Sequence, residues 1–166
     1  MFTTVIDERG HTTRYDYDKD DNVTAVVDPL GNSTKYAYDK DDFNTISVTD
    51  PADNTTYYTY DDKGNALSVT DPLGRVSKFT YEPKYSFVKT ATDPKGNVTT
   101  YYYDYEVSAS PLGLPAFGGN VVKIVYPAVN GQSPTELFSY NWFGQMTQQT
   151  DAKGTVTNYA YNSVNG

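Results

Sequence analysis

Residues 58–74 read Tyr-Thr-Tyr-Asp-Asp-Lys-Gly-Asn-Ala-Leu-Ser-Val-Thr-Asp-Pro-Leu-Gly, and this stretch decides the fold. Tyr58–Tyr60 and Ala66–Thr70 are rich in aromatic and β-branched residues and alternate, as half-buried strands do. Asp61–Asn65 and Asp71–Gly74 are dense in turn formers. The unit is therefore strand, tight turn, strand, tight turn. Working outward, the same unit returns on both sides. Aromatic pairs stand at Tyr15/Tyr17, Tyr36/Tyr38, Tyr58/Tyr60, Phe79/Tyr81, Tyr101/Tyr103 and Tyr159/Tyr161. Each pair lies eight and ten residues after an aspartate: Asp7, Asp28, Asp50, Asp71, Asp93 or Asp151. The first five of these aspartates are spaced 21, 22, 21 and 22 residues apart. Self-similarity at such a period marks a repeat architecture, in which a residue recurring once per unit is scaffold before it is a site.

The strands predicted from this pattern are 34–38, 56–60, 77–81 and 155–161 for the aromatic class, and 23–27, 45–49, 66–70 and 87–92 for the other. Two more, at Val121–Tyr126 and Thr135–Tyr140, follow a break in register. Residues two apart on a strand share a face, so the two rings of each pair point the same way and stacked units form two columns of rings. Asp28-Pro29-Leu30-Gly31, Asp71-Pro72-Leu73-Gly74 and Asp93-Pro94-Lys95-Gly96 fit a type I turn followed by a left-handed glycine, with Gly154 in the same place after Asp151. Asp50-Pro51-Ala52-Asp53 puts an aspartate there. No segment has sustained helical periodicity. The expected fold is all-β: a repetitive antiparallel hairpin ribbon of about fourteen strands, in an open, twisted or curved sheet. It is organised as repeats over 1–105, a Pro/Gly-rich insertion over 106–120, and further repeats over 121–166, in one continuous repeat domain.

Composition narrows the function. Hydrophobic residues make up 37% and tyrosine alone supplies 17 of the 166 residues, so the core is built partly from rings that keep a polar end. The net charge of −8 argues against nucleic acid, which needs a basic surface. No apolar run approaches the length of a membrane-spanning helix. The absence of cysteine removes disulfides and thiol chemistry. The chain opens inside a repeat, without a signal-peptide pattern, as a fragment of a longer protein would.

Tyr60-Asp61-Asp62-Lys63-Gly64-Asn65, followed by Thr70-Asp71-Pro72-Leu73-Gly74, resembles the YD repeat of Rhs-type proteins. The likeness covers nearly the whole chain except about 106–120 and 127–134. It implies a long β-ribbon that winds into a hollow shell in bacterial polymorphic toxins, toxin-complex components and teneurins, often around a C-terminal toxin. By the resemblance the repeats are wall: a non-catalytic segment of a secreted or surface protein, bacterial, that encloses or presents a cargo domain. The chain is much shorter than a closed shell and carries no toxin-like domain. Ser110-Pro111-Leu112-Gly113-Leu114 with Gly118-Gly119 is similar to the self-cleaving motif that ends such shells, but serine stands where the motif has aspartate.

Candidate sites are few. Asp16, Asp18 and Asp20 have a calcium-loop spacing, and Asp39, Asp41 and Asp42 crowd another turn. Asp21 at the sixth position and Val27 at the twelfth depart from an EF-hand, and the carboxylates read as turn formers. His11 is the only histidine, so neither a Ser-His-Asp set nor a metal-histidine cluster can be assembled. The expectation is no enzyme, no metal and no cofactor. The recurring rings at Tyr15, Tyr17, Tyr36, Tyr38, Tyr58, Tyr60, Phe79, Tyr81, Tyr101, Tyr103, Tyr159 and Tyr161, with Gly31, Gly74, Gly96 and Gly154, read as structure. Trp142 and Phe143 place two aromatics in a turn otherwise polar, and Tyr85 does so more weakly. These three are the candidate partner contacts, and 106–120 and 141–145 are expected at one edge of the ribbon. The alternative function is adhesion, with a glycan or protein bound by such turns. Other expected partners are the rest of the parent chain, a cargo domain and, through open strand edges, a second copy.

Overall fold

The structure is a computed structural model that describes residues 1–40, 44–106 and 119–162. Asp41 and Asp42, and the Ser110–Leu114 and Gly118 segment, lie outside the described residues. Two strand lengths alternate along the chain. The short strands are β1 (Phe2–Ile6), β3 (Val23–Val27), β5 (Thr45–Thr49), β7 (Ala66–Thr70), β9 (Val88–Thr92), β11 (Val121–Val125) and β13 (Met146–Thr150). The long ones are β2 (Thr12–Tyr17), β4 (Ser33–Tyr38), β6 (Thr55–Tyr60), β8 (Val76–Tyr81), β10 (Val98–Tyr103) and β12 (Thr135–Tyr140), followed by β14 (Val156–Asn158). The fourteen strands form an open sheet in sequence order, and the paired neighbours are antiparallel. The chain divides into two compact units, Met1–Lys78 and Phe79–Gly166. A three-residue 3-10 turn, Asp104–Glu106, follows β10.

The predicted strand over 155–161 is shorter than expected and ends at Asn158. Among the described residues β14 has no strand on its outer side, so Tyr159 and Tyr161 are held from one side only. The Tyr159 N–H still donates to the Thr147 carbonyl, and the Tyr161 hydroxyl to that of Met146.

The turns that look like two kinds in sequence are one structure. In Asp61–Asn65 the Gly64 N–H donates to the Asp61 carbonyl at 3.0 Å, and the Asp61 N–H to the Asn65 carbonyl at 2.9 Å. Oδ1 of Asp61 accepts the Lys63 and Asn65 N–H groups, and Oδ2 accepts Nδ2 of Asn65. The Asp-Pro turn of Asp28 makes the same set with Leu30 and Asn32. One carboxylate thus satisfies donors that a tight turn would leave to water. The residue before the asparagine must adopt a left-handed backbone, as Gly64 does at φ +80°. Asp53 takes the same place at φ +61°, a conformation aspartate tolerates better than most residues.

A β-bulge recurs in the short strands. Ala37 pairs with Ser47 but Tyr38 pairs with Thr45, which leaves Ile46 over. Thr24, Leu67, Val122 and Thr147 are left over in the same way, each at the second residue of its strand. A bulge bends its strand and raises the local twist. The long strands bury alternate residues: Thr34, Tyr36 and Tyr38 are half-buried while Lys35 and Ala37 are exposed. On the ring-bearing face Tyr15, Tyr36, Tyr58 and Tyr101 stand opposite Val26, Val48, Val69 and Ile124, which are cross-strand aromatic–aliphatic pairs. No second layer covers this face among the described residues; of those residues none of the side chains is fully buried, and the one hydrophobic residue counted as buried is Tyr103, 6% exposed.

Candidate functional site

The two rings of each pair do different work. The second tyrosine of the pair donates its hydroxyl to the carbonyl of the first residue in the preceding short strand. Tyr38 reaches Val23 at 2.9 Å, Tyr60 reaches Thr45 at 2.9 Å, and Tyr103 reaches Val88 at 2.8 Å. Tyr140 reaches Val121 at 3.0 Å and Tyr161 reaches Met146 at 2.8 Å. The bulge explains why. It draws the start of each short strand toward the preceding long strand, and the ladder on the other side stops early: β3 and β4 pair only as far as Ala25 and Lys35. The hydroxyl then closes the gap. Burial pushes the Tyr60 and Tyr103 phenols above their usual range, so they remain donors. Phe138/Tyr140 is a seventh ring pair that the counting of aspartates missed. Its signal was the Phe-Ser-Tyr alternation, masked by the insertion at 127–134 that displaces the count.

The densest chemistry lies in the second unit, around Glu82. This glutamate stands where other turns have aspartate, and its extra methylene carries the carboxylate inward, to 3% exposure. Oε1 accepts the Tyr85 and Phe87 N–H groups at 2.6 and 3.0 Å, and Oε2 accepts that of Lys84 at 2.7 Å. Burial opposes the charge, but the three donors outweigh it and hold the carboxyl below the usual range. Around it Tyr85 packs edge-on against Tyr105 at 5.1 Å, Phe87 against Tyr103 at 5.1 Å, and Tyr103 stacks on Tyr105 at 5.9 Å. Burial first, and then the Glu82 carboxylate, pushes the Tyr105 phenol well above its usual range. Lys84 sits over the Tyr85 and Tyr105 rings, and Lys89 binds Glu106 at 2.9 Å while lying over Tyr102. Gly119 is forced by contact: a Cβ there would lie 2.8 Å from the Phe87 ring.

Of the candidate contacts, Tyr85 belongs to this cluster, although its outer side is exposed. Trp142 and Phe143 stand out from the turn after β12, 56% and 84% exposed, while Asn141 makes the aspartate-type turn bonds to Phe143 and Gln145. Antiparallel order puts the end of β10, with Asp104 and Asn120, and the end of β12, with Asn141, on one edge of that unit. The calcium candidates are engaged otherwise. Asp16 pairs with Arg14, Asp20 with Lys19, and Asp18 holds its turn through Asn22. The Asp7 carboxylate accepts from Nδ1 of His11 at 3.0 Å in the first turn. Among the described residues no cluster of three or more acidic, histidine or cysteine side chains is arranged for a metal.

A family model described as "Teneurin YD-shell" matches residues 5–166, and the chain belongs to that family. A comparison with curated proteins finds no match. Among solved structures, the chain is similar to the Photorhabdus luminescens Tc holotoxin pore. The TM-score is 0.63 at 19% identity, covering 85% of this chain and 7% of that one. It is also similar to the crystal structure of TcdB2-TccC3, with a TM-score of 0.61 at 19% identity, covering 84% of this chain and 7% of that one. At that identity the likeness speaks for the fold. The chain spans about 7% of the length of these structures.

Proposed function

From membership in the YD-shell family, we propose that this chain is a length of shell wall in a secreted or surface protein, without catalysis of its own. Its partners are then the rest of the parent chain and a cargo domain that the wall encloses or presents. One observation carries the reading beyond the family: a many-stranded sheet carries rings along one face, with no second layer over them among the described residues. A self-sufficient sandwich buries such a face in its own core. A wall instead turns one face inward and one outward. The polar groups serve the wall as well, since the turn carboxylates and latch hydroxyls are bonded to backbone. We place the contact with cargo or partner at Trp142 and Phe143, because these two large aromatics, 56% and 84% exposed in an otherwise polar turn, offer apolar surface to a partner.

The test is expression of the complete reading frame that contains this sequence, followed by electron microscopy and limited proteolysis. The expected result is a closed hollow particle whose enclosed segment resists protease until the particle is opened. An open ribbon with every segment equally cleavable would refute the reading. No helix among the described residues is long and apolar enough to cross a membrane.

A further inference from the structure

Lys84 differs from the other cations that touch rings. Arg14 lies over one ring, that of Phe2, and Lys89 and Lys123 lie over one, that of Tyr102. Among the described residues Lys84 is the cation that lies over two. Its Nζ is 4.9 Å from the centre of the Tyr85 ring and 5.1 Å from that of Tyr105. Both distances are within reach of a cation–π contact. The two rings stand at 77° to each other, so they form the walls of an aromatic corner, and the ammonium fills it.

The walls are held on several sides. Tyr105 stacks on Tyr103, whose hydroxyl is latched to the Val88 carbonyl, and Phe87 backs both Tyr85 and Tyr103. The turn from Glu82 to Phe87 is one residue longer than that from Asp61 to Asn65. The Glu82 carboxylate fixes it through the N–H groups of Lys84, Tyr85 and Phe87. Within it Ser86 stands at φ +60°, in the left-handed region that residues other than glycine adopt infrequently. Strain of this kind persists where surrounding contacts impose it, and it gathers at ligand clamps.

The present occupant matches the corner incompletely. The corner offers ring faces and, at its base, the carboxylate of Glu82, 3% exposed. It offers no acceptor: among the described residues Nζ of Lys84 has no hydrogen bond and no ion pair. A primary ammonium carries three N–H donors, and here they are left to solvent. An ammonium whose hydrogens are replaced by methyl groups has no donor to satisfy, and its methyls pack on ring faces. Lys84 is exposed and Tyr85 is 48% exposed, so exchange at the corner needs no opening of the cluster.

We propose that the corner between Tyr85 and Tyr105 is a binding site for a quaternary ammonium group, with Lys84 as a tethered occupant that the ligand displaces. The site lies in the turn between β8 and β9 and stands apart from the wall reading and from Trp142 and Phe143.

The test uses the 166-residue chain and tetramethylammonium chloride, with sodium chloride at equal ionic strength as the blank. In proton NMR the methyl signal should move upfield and saturate, because the methyls lie over ring faces. Overhauser effects from the methyls to the ring protons of Tyr85 and Tyr105 should locate the ligand. Lys84→Ala empties the corner. If Lys84 fills it about nine-tenths of the time, this variant should bind about tenfold more tightly than the wild type. Lys84→Ala combined with Tyr85→Leu removes one wall and should lose the saturable shift. Tyr105→Phe keeps its ring and should retain the shift. Melting followed by circular dichroism checks that each variant is folded. Choline chloride and phosphatidylcholine vesicles then separate the two sources of such a group. Competition by choline alone marks a free ligand, and sedimentation of the chain with the vesicles marks a lipid headgroup. A Lys84→Ala chain whose shift does not saturate overturns the proposal. So does saturation that survives loss of the Tyr85 ring, or an affinity that Lys84→Ala leaves unchanged.

Discussion

Tyr60→Phe removes one hydroxyl and leaves the ring in place, so it isolates the latch. The hydroxyl donates to the Thr45 carbonyl at 2.9 Å, at the point where the β5–β6 ladder has already ended. Without it that carbonyl has only water. Because Tyr60 is half-buried, water replaces the bond in part, and the expected loss is about 1 kcal/mol, the middle of the range for a neutral hydrogen bond. Tyr38→Phe acts in the neighbouring hairpin on the Val23 carbonyl and should cost the same. The two latches share no partner, so the double variant should lose about 2 kcal/mol. Tyr57→Phe is the control: it lies on the same strand, on the opposite face, 55% exposed, and should change nothing measurable. The assay is urea unfolding followed by circular dichroism, with amide hydrogen exchange to show that the weakened protection lies in β5. If Tyr60→Phe unfolds at the same urea concentration as Tyr57→Phe, the hydroxyls do not hold the splayed strand ends and the division of labour within each pair fails.

Acid should weaken the fold through its turns. The carboxyls of Asp28, Asp50, Asp61 and Asp93 are held below the ordinary value of 3.8, chiefly by the asparagine side chain four residues on. A depressed carboxyl contributes stability above its unfolded value and loses it as pH falls through the folded one, so the urea midpoint should decline most steeply below pH 3.8. A midpoint that stays flat in acid would refute this. Gly119→Ala should cost about 1–3 kcal/mol by overpacking, because the new methyl meets the Phe87 ring; near-ultraviolet circular dichroism should report the displaced aromatics. Trp142→Ala removes an exposed ring and should leave the melting temperature within a degree or so, since surface changes are usually within about 0.5 kcal/mol. On the proposed wall reading, the same substitution should reduce capture of a cargo domain from the parent reading frame on an affinity column.

The periodic parts of the molecule were legible from the chain, and for a physical reason. Tyr58, Tyr60, Asp61, Gly64, Asp71 and Gly74 each answer to a local demand: face, turn or backbone sign. Such demands repeat whenever the unit does. What stayed hidden depends on register between strands. Ile46 and Leu67 look like ordinary strand members, and nothing in their type announces a bulge. The latch follows from the bulge, so the different roles of Tyr36 and Tyr38 were hidden with it. Glu82 reads as a conservative change in a turn; its burial is supplied by Phe87, Tyr103 and Tyr105, whose approach is tertiary. The exposure of Trp142 and Phe143 was legible from their place in an otherwise polar turn.

The latch has a consequence for how the chain folds. In Tyr38, Tyr60, Tyr103 and Tyr161 it ties residues only 15 apart, and in Tyr140 it ties residues 19 apart. Each hairpin can therefore be locked as soon as its second ring has been synthesised, before the rest of the chain exists. Topologies built from such near-neighbour contacts fold quickly, and arrays of them grow from any formed unit. A unit gained or lost whole leaves the latches of its neighbours intact. The length of the ribbon is then free to drift by multiples of one repeat, while a deletion of any other size cuts a latch in two.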